Sequence, residues 1–226
     1  MGKREYGQFC GLARAAEVLG QRWTLLILRD LLTGPRRYSD LTAGLPGIPS
    51  NILATRLKEL EGDGLVTREL RGRSVLYRGT PRAEELAPAL DALGRWGAAA
   101  MREPREGEVV TEGSLVAGLR AAASGGKAPP ETRSRVYVVR AGEAAACAIV
   151  RDGVVTVEAG EHPEPDLTVV AGPGFRDLLA GVIDPAMAVE SGAVTLDGDA
   201  ALLSEFSATF RIPYSDAVGE PMNSSR

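Results

Sequence analysis

Ser50-Asn51-Ile52-Leu53-Ala54-Thr55-Arg56-Leu57-Lys58-Glu59-Leu60-Glu61-Gly62-Asp63-Gly64-Leu65-Val66-Thr67-Arg68-Glu69-Leu70-Arg71-Gly72-Arg73-Ser74-Val75-Leu76-Tyr77 changes its hydrophobic period once, and that change decides the fold. Ile52, Leu53, Leu57 and Leu60 recur at the spacing of one helical stripe, which predicts a helix from Pro49 or Ser50 to about Asp63. Ser50, Asn51, Ala54, Thr55 and Lys58 then face away from the stripe. Beyond Gly64 the period becomes two, through Leu65–Leu70 and again through Val75–Tyr77, so the chain reads as a hairpin with Arg71 and Arg73 at its tip.

Working outward, short helices precede this stretch. Leu12–Leu19 ends at Gly20, read as a C-cap. Trp23–Leu32 is apolar nearly all round, which predicts a buried helix, and Gly34-Pro35 stops it. Tyr38–Leu45 ends at Pro46-Gly47. Downstream, Pro81 opens a last helix through Ala100 with Leu86, Leu90, Leu93 and Trp96 at helical spacing. Three helices, a fourth with a polar outer face and a basic hairpin stand in the order of a winged helix-turn-helix.

That order suits DNA. A helix enters the ~12 Å major groove only if its exposed face carries small or hydrogen-bonding side chains, as Ser50, Asn51, Ala54 and Thr55 do. Arg56 and Lys58 flank the face as phosphate partners, with Arg71 and Arg73 on the hairpin and Arg36 and Arg37 after a helix end. The competing reading makes Arg56, Lys58, Glu59 and Glu61 a solvated helix face closed by intrahelical pairs.

The charge distribution agrees with two domains. The 226 residues carry a net charge of −4, yet residues 1–106 hold 17 Lys and Arg against 13 Asp and Glu, a net of +4, whereas residues 107–226 hold 9 against 17, a net of −8. A basic half can face a polyanion while an acidic one stays off it. Hydrophobic residues at 44% and charged residues at 25% exclude a disordered or fibrous chain. No apolar run is long enough for a membrane span and the N-terminus lacks signal-peptide features, so a cytoplasmic protein is expected. Two cysteines, Cys10 and Cys147, and the single His162 cannot make a zinc tetrad, and no cofactor is expected.

After breaks at Glu103–Gly107 and Ser124–Pro130 the texture turns to β-branched runs at 135–139, 146–150, 154–157 and 167–170. A helix at 175–179, a segment at 184–189, a strand at 193–196 and a helix at 200–210 complete an α+β domain with a mainly antiparallel sheet and helices on one face. The expected boundaries are 1–104, 105–215 and a tail, 216–226. Phe175, Leu179, Met187 and Phe206 are candidates to line an apolar cavity, or equally to fill a solid core. His162 lies in a polar turn, and Gly172-Pro173-Gly174 lacks the rest of a phosphate loop. No catalytic constellation stands out, and an enzyme is not expected.

Leu19-Gly20-Gln21-Arg22-Trp23-Thr24-Leu25-Leu26-Ile27-Leu28, Gly34-Pro35-Arg36-Arg37-Tyr38-Ser39-Asp40-Leu41, Leu45-Pro46-Gly47-Ile48 and Leu53 to Val66 together closely resemble the HxlR-type winged-helix bacterial regulators over residues 8–100. The resemblance implies a homodimer held mostly by its first and last helices, binding an inverted repeat in double-stranded DNA through Ser50 to Lys58. This chain departs from the pattern at Pro49-Ser50, where the family often has Ser before Pro, and in a shorter hairpin. Cys10 falls where many members carry a cysteine, in some a redox sensor. A reactive thiol needs positive potential, for which Lys3, Arg4 and Arg14 are at hand, and a structural thiol in the dimer helix is the alternative. Pro165–Gly181, Asp184-Pro185-Ala186-Met187 and Ser191–Asp199 resemble the sterol carrier protein family over residues 110–212, which implies an apolar tunnel for a lipid-like effector. A lipid carrier whose helical domain serves only dimerisation is the alternative to a regulator.

Overall fold

In the computed structural model, residues 5–126, 128 and 134–215 are described; the expected tail at 216–226, most of the 127–133 stretch, and Lys3 and Arg4 lie outside them. The chain divides into two units, Met1–Leu90 and Asp91–Arg226.

The first unit runs α1 (Gly11–Leu19), α2 (Thr24–Leu31), β1 (Arg36–Arg37), α3 (Tyr38–Gly44), α4 (Ser50–Gly62), β2 (Val66–Arg71), β3 (Ser74–Gly79) and α5 (Pro81–Glu84); α6 (Ala87–Ala98) begins in it. Its core joins Ile27, Leu28 and Leu31 of α2, Leu41 of α3 and Leu53, Leu57 and Leu60 of α4, each 2% exposed or less. The α4 stripe is therefore buried as its spacing requires, and the helix starts at Ser50 with Pro49 as an N-cap that makes no side-chain bond. Tyr38 Oη donates to Ser50 O at 2.7 Å, which ties the start of α3 to the start of α4.

Two expectations change here. α2 is amphipathic rather than buried all round: Leu25 and Leu26 are exposed, because only its Ile27–Leu28–Leu31 side meets the core. The helix expected from Pro81 to Ala100 is two helices, α5 and α6, interrupted at Glu85-Leu86 just ahead of Pro88. Pro88 has no N–H to donate and so belongs in a first turn, where none is required. Gly20 does cap α1, but at an ordinary φ of −72°; the left-handed residue of this turn is Trp23, at φ 78°. An indole-bearing residue in that region is strained by ~1–3 kcal/mol and is held there by its surroundings.

The wing is a three-stranded sheet, β1-β3-β2, all antiparallel. Arg71 pairs with Ser74, leaving Gly72-Arg73 as a two-residue turn with positive φ, 61°, at Gly72 alone, the pattern of a II′ turn. Arg36 and Arg37, read from sequence as residues after a helix end, form β1 opposite Tyr77 and Leu76.

The second unit has the helix α7 (Glu112–Ala123), the strands β4 (Ser134–Ala141), β5 (Ala144–Arg151), β6 (Val154–Ala159) and β7 (Leu167–Ala171), then α8 (Phe175–Ala180), α9 (Pro185–Glu190), β8 (Val194–Gly198) and α10 (Leu202–Thr209). The sheet order is β6-β5-β4-β7-β8; β4 and β7 run parallel and the other three pairings are antiparallel. The α+β pattern holds, with a mixed sheet. α7 was not foreseen, although Thr111 and Ser114 cap it reciprocally and Leu115, Val116 and Leu119 pack into the core. Tyr137 lies edge-on to Phe206 and Phe210, with centroids 5.4 and 6.1 Å away. Arg176 donates to Ala98 O and Ile212 O at 2.8 and 2.7 Å and stacks under Tyr214, which fastens residues 211–215 to α8 and the end of α6.

Candidate nucleic-acid interface

Successive α-helical residues turn ~100°, so burying Leu53, Leu57 and Leu60 puts Asn51, Thr55 and Lys58 on the opposite side of α4. All three, with Ser50, are exposed. Thr55 Oγ1 donates to Asn51 O at 2.8 Å, so its hydroxyl hydrogen is spent on the helix while an oxygen lone pair and the methyl group point outward.

Arg56 is different. It lies between the core side and the outer face, its side chain is 16% exposed, and its guanidinium is ion-paired with Glu59 one turn on. Here the intrahelical-pair reading applies. Lys58 is exposed and, among the described residues, has no acidic partner.

On the wing, Glu69 stands between Arg71 and Arg78 at 3.9 and 4.0 Å, and Arg68 reaches Glu61 at 3.4 Å. These arginines are at least half exposed, so the pairs are weak and leave the cations open to an anion of higher charge density. Arg73 sits at the exposed turn. Arg36 donates to Thr33 Oγ1 at 2.8 Å and is part-buried, whereas Arg37 is exposed and its backbone N–H is held by Asp40 at 2.8 Å. The site residues from Arg36 to Arg73 thus lie in one unit, on α4, β1 and the wing.

Sequence reasoning missed Tyr38, whose hydroxyl sets the α3–α4 turn, and the trio Gln21, Arg22 and Trp23. With Gly47, Pro49, Ile52 and Arg56 the trio lines a cleft of about 360 Å3 beside α4. Arg22 lies over the Trp23 ring, 5.3 Å from its centroid. Nothing in the local pattern announces the cleft, because its walls come from three separate segments.

The remaining candidates fall elsewhere. Cys10 is exposed ahead of α1 and Cys147 is buried in β5, both as free thiols, and burial pushes the Cys147 thiol up. Arg14, proposed to raise the potential at Cys10, is paired with Glu17 at 3.1 Å. In the second unit Phe175, Leu179 and Phe206 join one core cluster, Phe175 half-buried at its edge. Met187 is not brought to them; it is 51% exposed on α9, where Ala188 is the residue turned inward. Among the described residues no cluster of three or more His, Cys, Asp or Glu is placed to hold a metal, and no helix is long and apolar enough to cross a membrane.

Comparison with known proteins places a family on the winged-helix region and the helix that follows it. The model of the HxlR-like helix-turn-helix matches residues 18–105. The chain is 39% identical over 103 residues to the uncharacterized HTH-type transcriptional regulator YkvN of Bacillus subtilis, a match covering 44% of this chain and 87% of that protein. It is 36% identical over 86 residues to YvaP, an uncharacterized HTH-type transcriptional regulator of the same organism, covering 37% of this chain and 80% of the relative. The reduced form of the transcriptional regulator YodB from B. subtilis is a solved structure with 32% identity and a TM-score of 0.37, covering 44% of this chain and all of that one.

Proposed function

This chain belongs to the HxlR-like helix-turn-helix family, a family of DNA-binding transcriptional regulators, and from that premise we propose that it acts as a homodimer on an inverted-repeat operator. The observation that carries the reading is α4: one side buried without a gap, the other exposing Ser50, Asn51, Thr55 and Lys58 with nothing bulky among them. Such a helix lies in a major groove with its small polar side chains against base edges. Arg37, Arg71 and Arg73 take backbone phosphates beside it; Arg36 and Arg56 contribute charge from positions already engaged within the protein.

Support for a dimer comes from apolar side chains left in water. Phe9 is fully exposed and Leu12 is 79% exposed at α1; Leu93 and Trp96 are 52% and 81% exposed on α6. Exposed aromatics of this size on helices are the anchors of an interface. The division into a DNA-binding domain at 1–104 and a sensing domain at 105–215 follows the same reading, the second being of sterol-carrier-like build with an apolar effector seated near the half-buried Phe175. The exposed Cys10 is the corresponding candidate for thiol-based control.

Sequencing the DNA that the purified protein retains from a random pool tests the proposal. An inverted repeat with a fixed half-site spacing is expected; recovery of unrelated sequences would remove operator recognition and leave a carrier or scaffold.

A further inference from the structure

The cleft beside α4 has the chemistry of a small-molecule site. Its walls are the Trp23 indole, Pro49 and Ile52, and the charged side chains lining it, Arg22 and Arg56, are both guanidinium groups. Gln21 adds an amide. At about 360 Å3 it has room for a single planar ring with small substituents. Two further observations set it apart from an ordinary surface dent. Trp23, a wall residue, is held in the left-handed region, at φ 78°, and the guanidinium of the exposed Arg22 lies over its ring.

We propose that this cleft binds a small aromatic carboxylate whose ring packs on Trp23 and Ile52 and whose carboxylate is taken by Arg22 and Arg56. The guanidinium fork matches a carboxylate in shape and charge, and the apolar wall beside it keeps the pair partly dry. For Arg56 the ligand replaces Glu59, the carboxylate that occupies it now. A neutral analogue lacks the negative charge that makes a bond to either guanidinium strong.

The site's position makes it regulatory, a step that rests on the reading of α4 as the DNA-contacting helix. Ile52 and Arg56 lie one turn apart on the flank of α4, next to the face that carries Asn51 and Thr55. An anion there consumes positive charge that a passing phosphate would use, so ligand and DNA oppose each other, and linkage requires each to weaken the other by the same factor.

The test titrates 4-nitrobenzoate into the full-length protein, with 4-nitrobenzamide as the uncharged control. Binding is followed by calorimetry and by the indole N–H signals of the two tryptophans, assigned with Trp23→Phe. Saturable binding that shifts Trp23 and leaves Trp96 in place is expected, weakened about tenfold or more in Arg22→Gln, with Arg22→Lys recovering part of the loss. Equal binding of the amide, or an unchanged Kd in Arg22→Gln, overturns the site. In the second arm, saturating 4-nitrobenzoate is expected to lower affinity for the selected operator, and operator to raise the ligand Kd by the same ratio. Binding without that reciprocity overturns the regulatory step alone. Absence of DNA binding in ligand-free protein defeats the operator reading, while the titration still decides the cleft.

Discussion

Asn51 and Thr55 stand on one turn of α4 and offer different chemistry. The Asn51 amide can donate and accept together, the combination that suits adenine, whereas Thr55 has already given its proton to Asn51 O and keeps a methyl group and an acceptor. Asn51→Ala is therefore expected to cost ~1–3 kcal/mol on the selected operator and little on random DNA, Thr55→Ala less, both read from competition binding. Equal losses on the two DNAs would make them backbone contacts. A second residue-scale prediction concerns Tyr214. Burial, followed by its 2.8 Å hydrogen bond to Asp177, pushes its phenol from 10.0 up to about 12. The folded state prefers the neutral phenol, so this contribution to stability is complete below pH 10 and is lost as pH rises through about 12. Thermal melts from pH 9 to 12.5 should show a smaller alkaline decline in Tyr214→Phe than in wild type; parallel curves would discount the Asp177 bond.

At the scale of elements, the wing and α6 carry separate expectations. Arg71 is shared with Glu69 and Arg73 lies exposed in the turn, so Arg71→Ala with Arg73→Ala should weaken specific and random DNA alike. The salt slope should fall by ~1 for each phosphate contact removed. An unchanged slope would take the wing off the DNA. α6 is a helix whose Trp96 and Leu93 stay 81% and 52% exposed. Trp96→Glu is expected to yield monomers in sedimentation that fail to retain an inverted repeat, and a persistent dimer would move the interface elsewhere. The break between α5 and α6 was readable in Pro88, yet the even spacing of Leu86, Leu90 and Leu93 concealed it. α7 left a signal too, in Thr111 and Ser114, but its many alanines and glycines gave the apolar stripe little contrast.

The whole molecule joins a basic half of +4, which carries the helix-turn-helix, to an acidic half of −8, a charge that disfavours contact with a polyanion. If the second unit senses an apolar ligand, a long-chain acyl compound must stabilise it by RT ln(1 + [L]/Kd), ~2.7 kcal/mol at a hundredfold excess over Kd. Because Leu179 and Phe206 are buried in a cluster with Phe210 and Tyr137, such a ligand has to displace core contacts. A melting temperature that does not rise with the acyl compound would leave this unit a scaffold.

By itself the sequence determined the helices α1 to α4, the buried stripe and polar face of α4, the hairpin and the α+β character of the second half. These follow from periodicity and turn chemistry, which act between residues a few positions apart. Tertiary structure alone decided what joins distant segments. It pairs β1 with β3 and sets β4 parallel to β7, 30 residues on from its register partner Tyr137 to Leu167. It turns Arg56 back onto Glu59 and assembles a cleft from the turn before α2, the α3–α4 turn and α4. It also fills the aromatic cluster of the second unit and leaves Met187 outside it. An apolar stripe states that a face will be buried; which distant surface covers it depends on packing the whole chain at once.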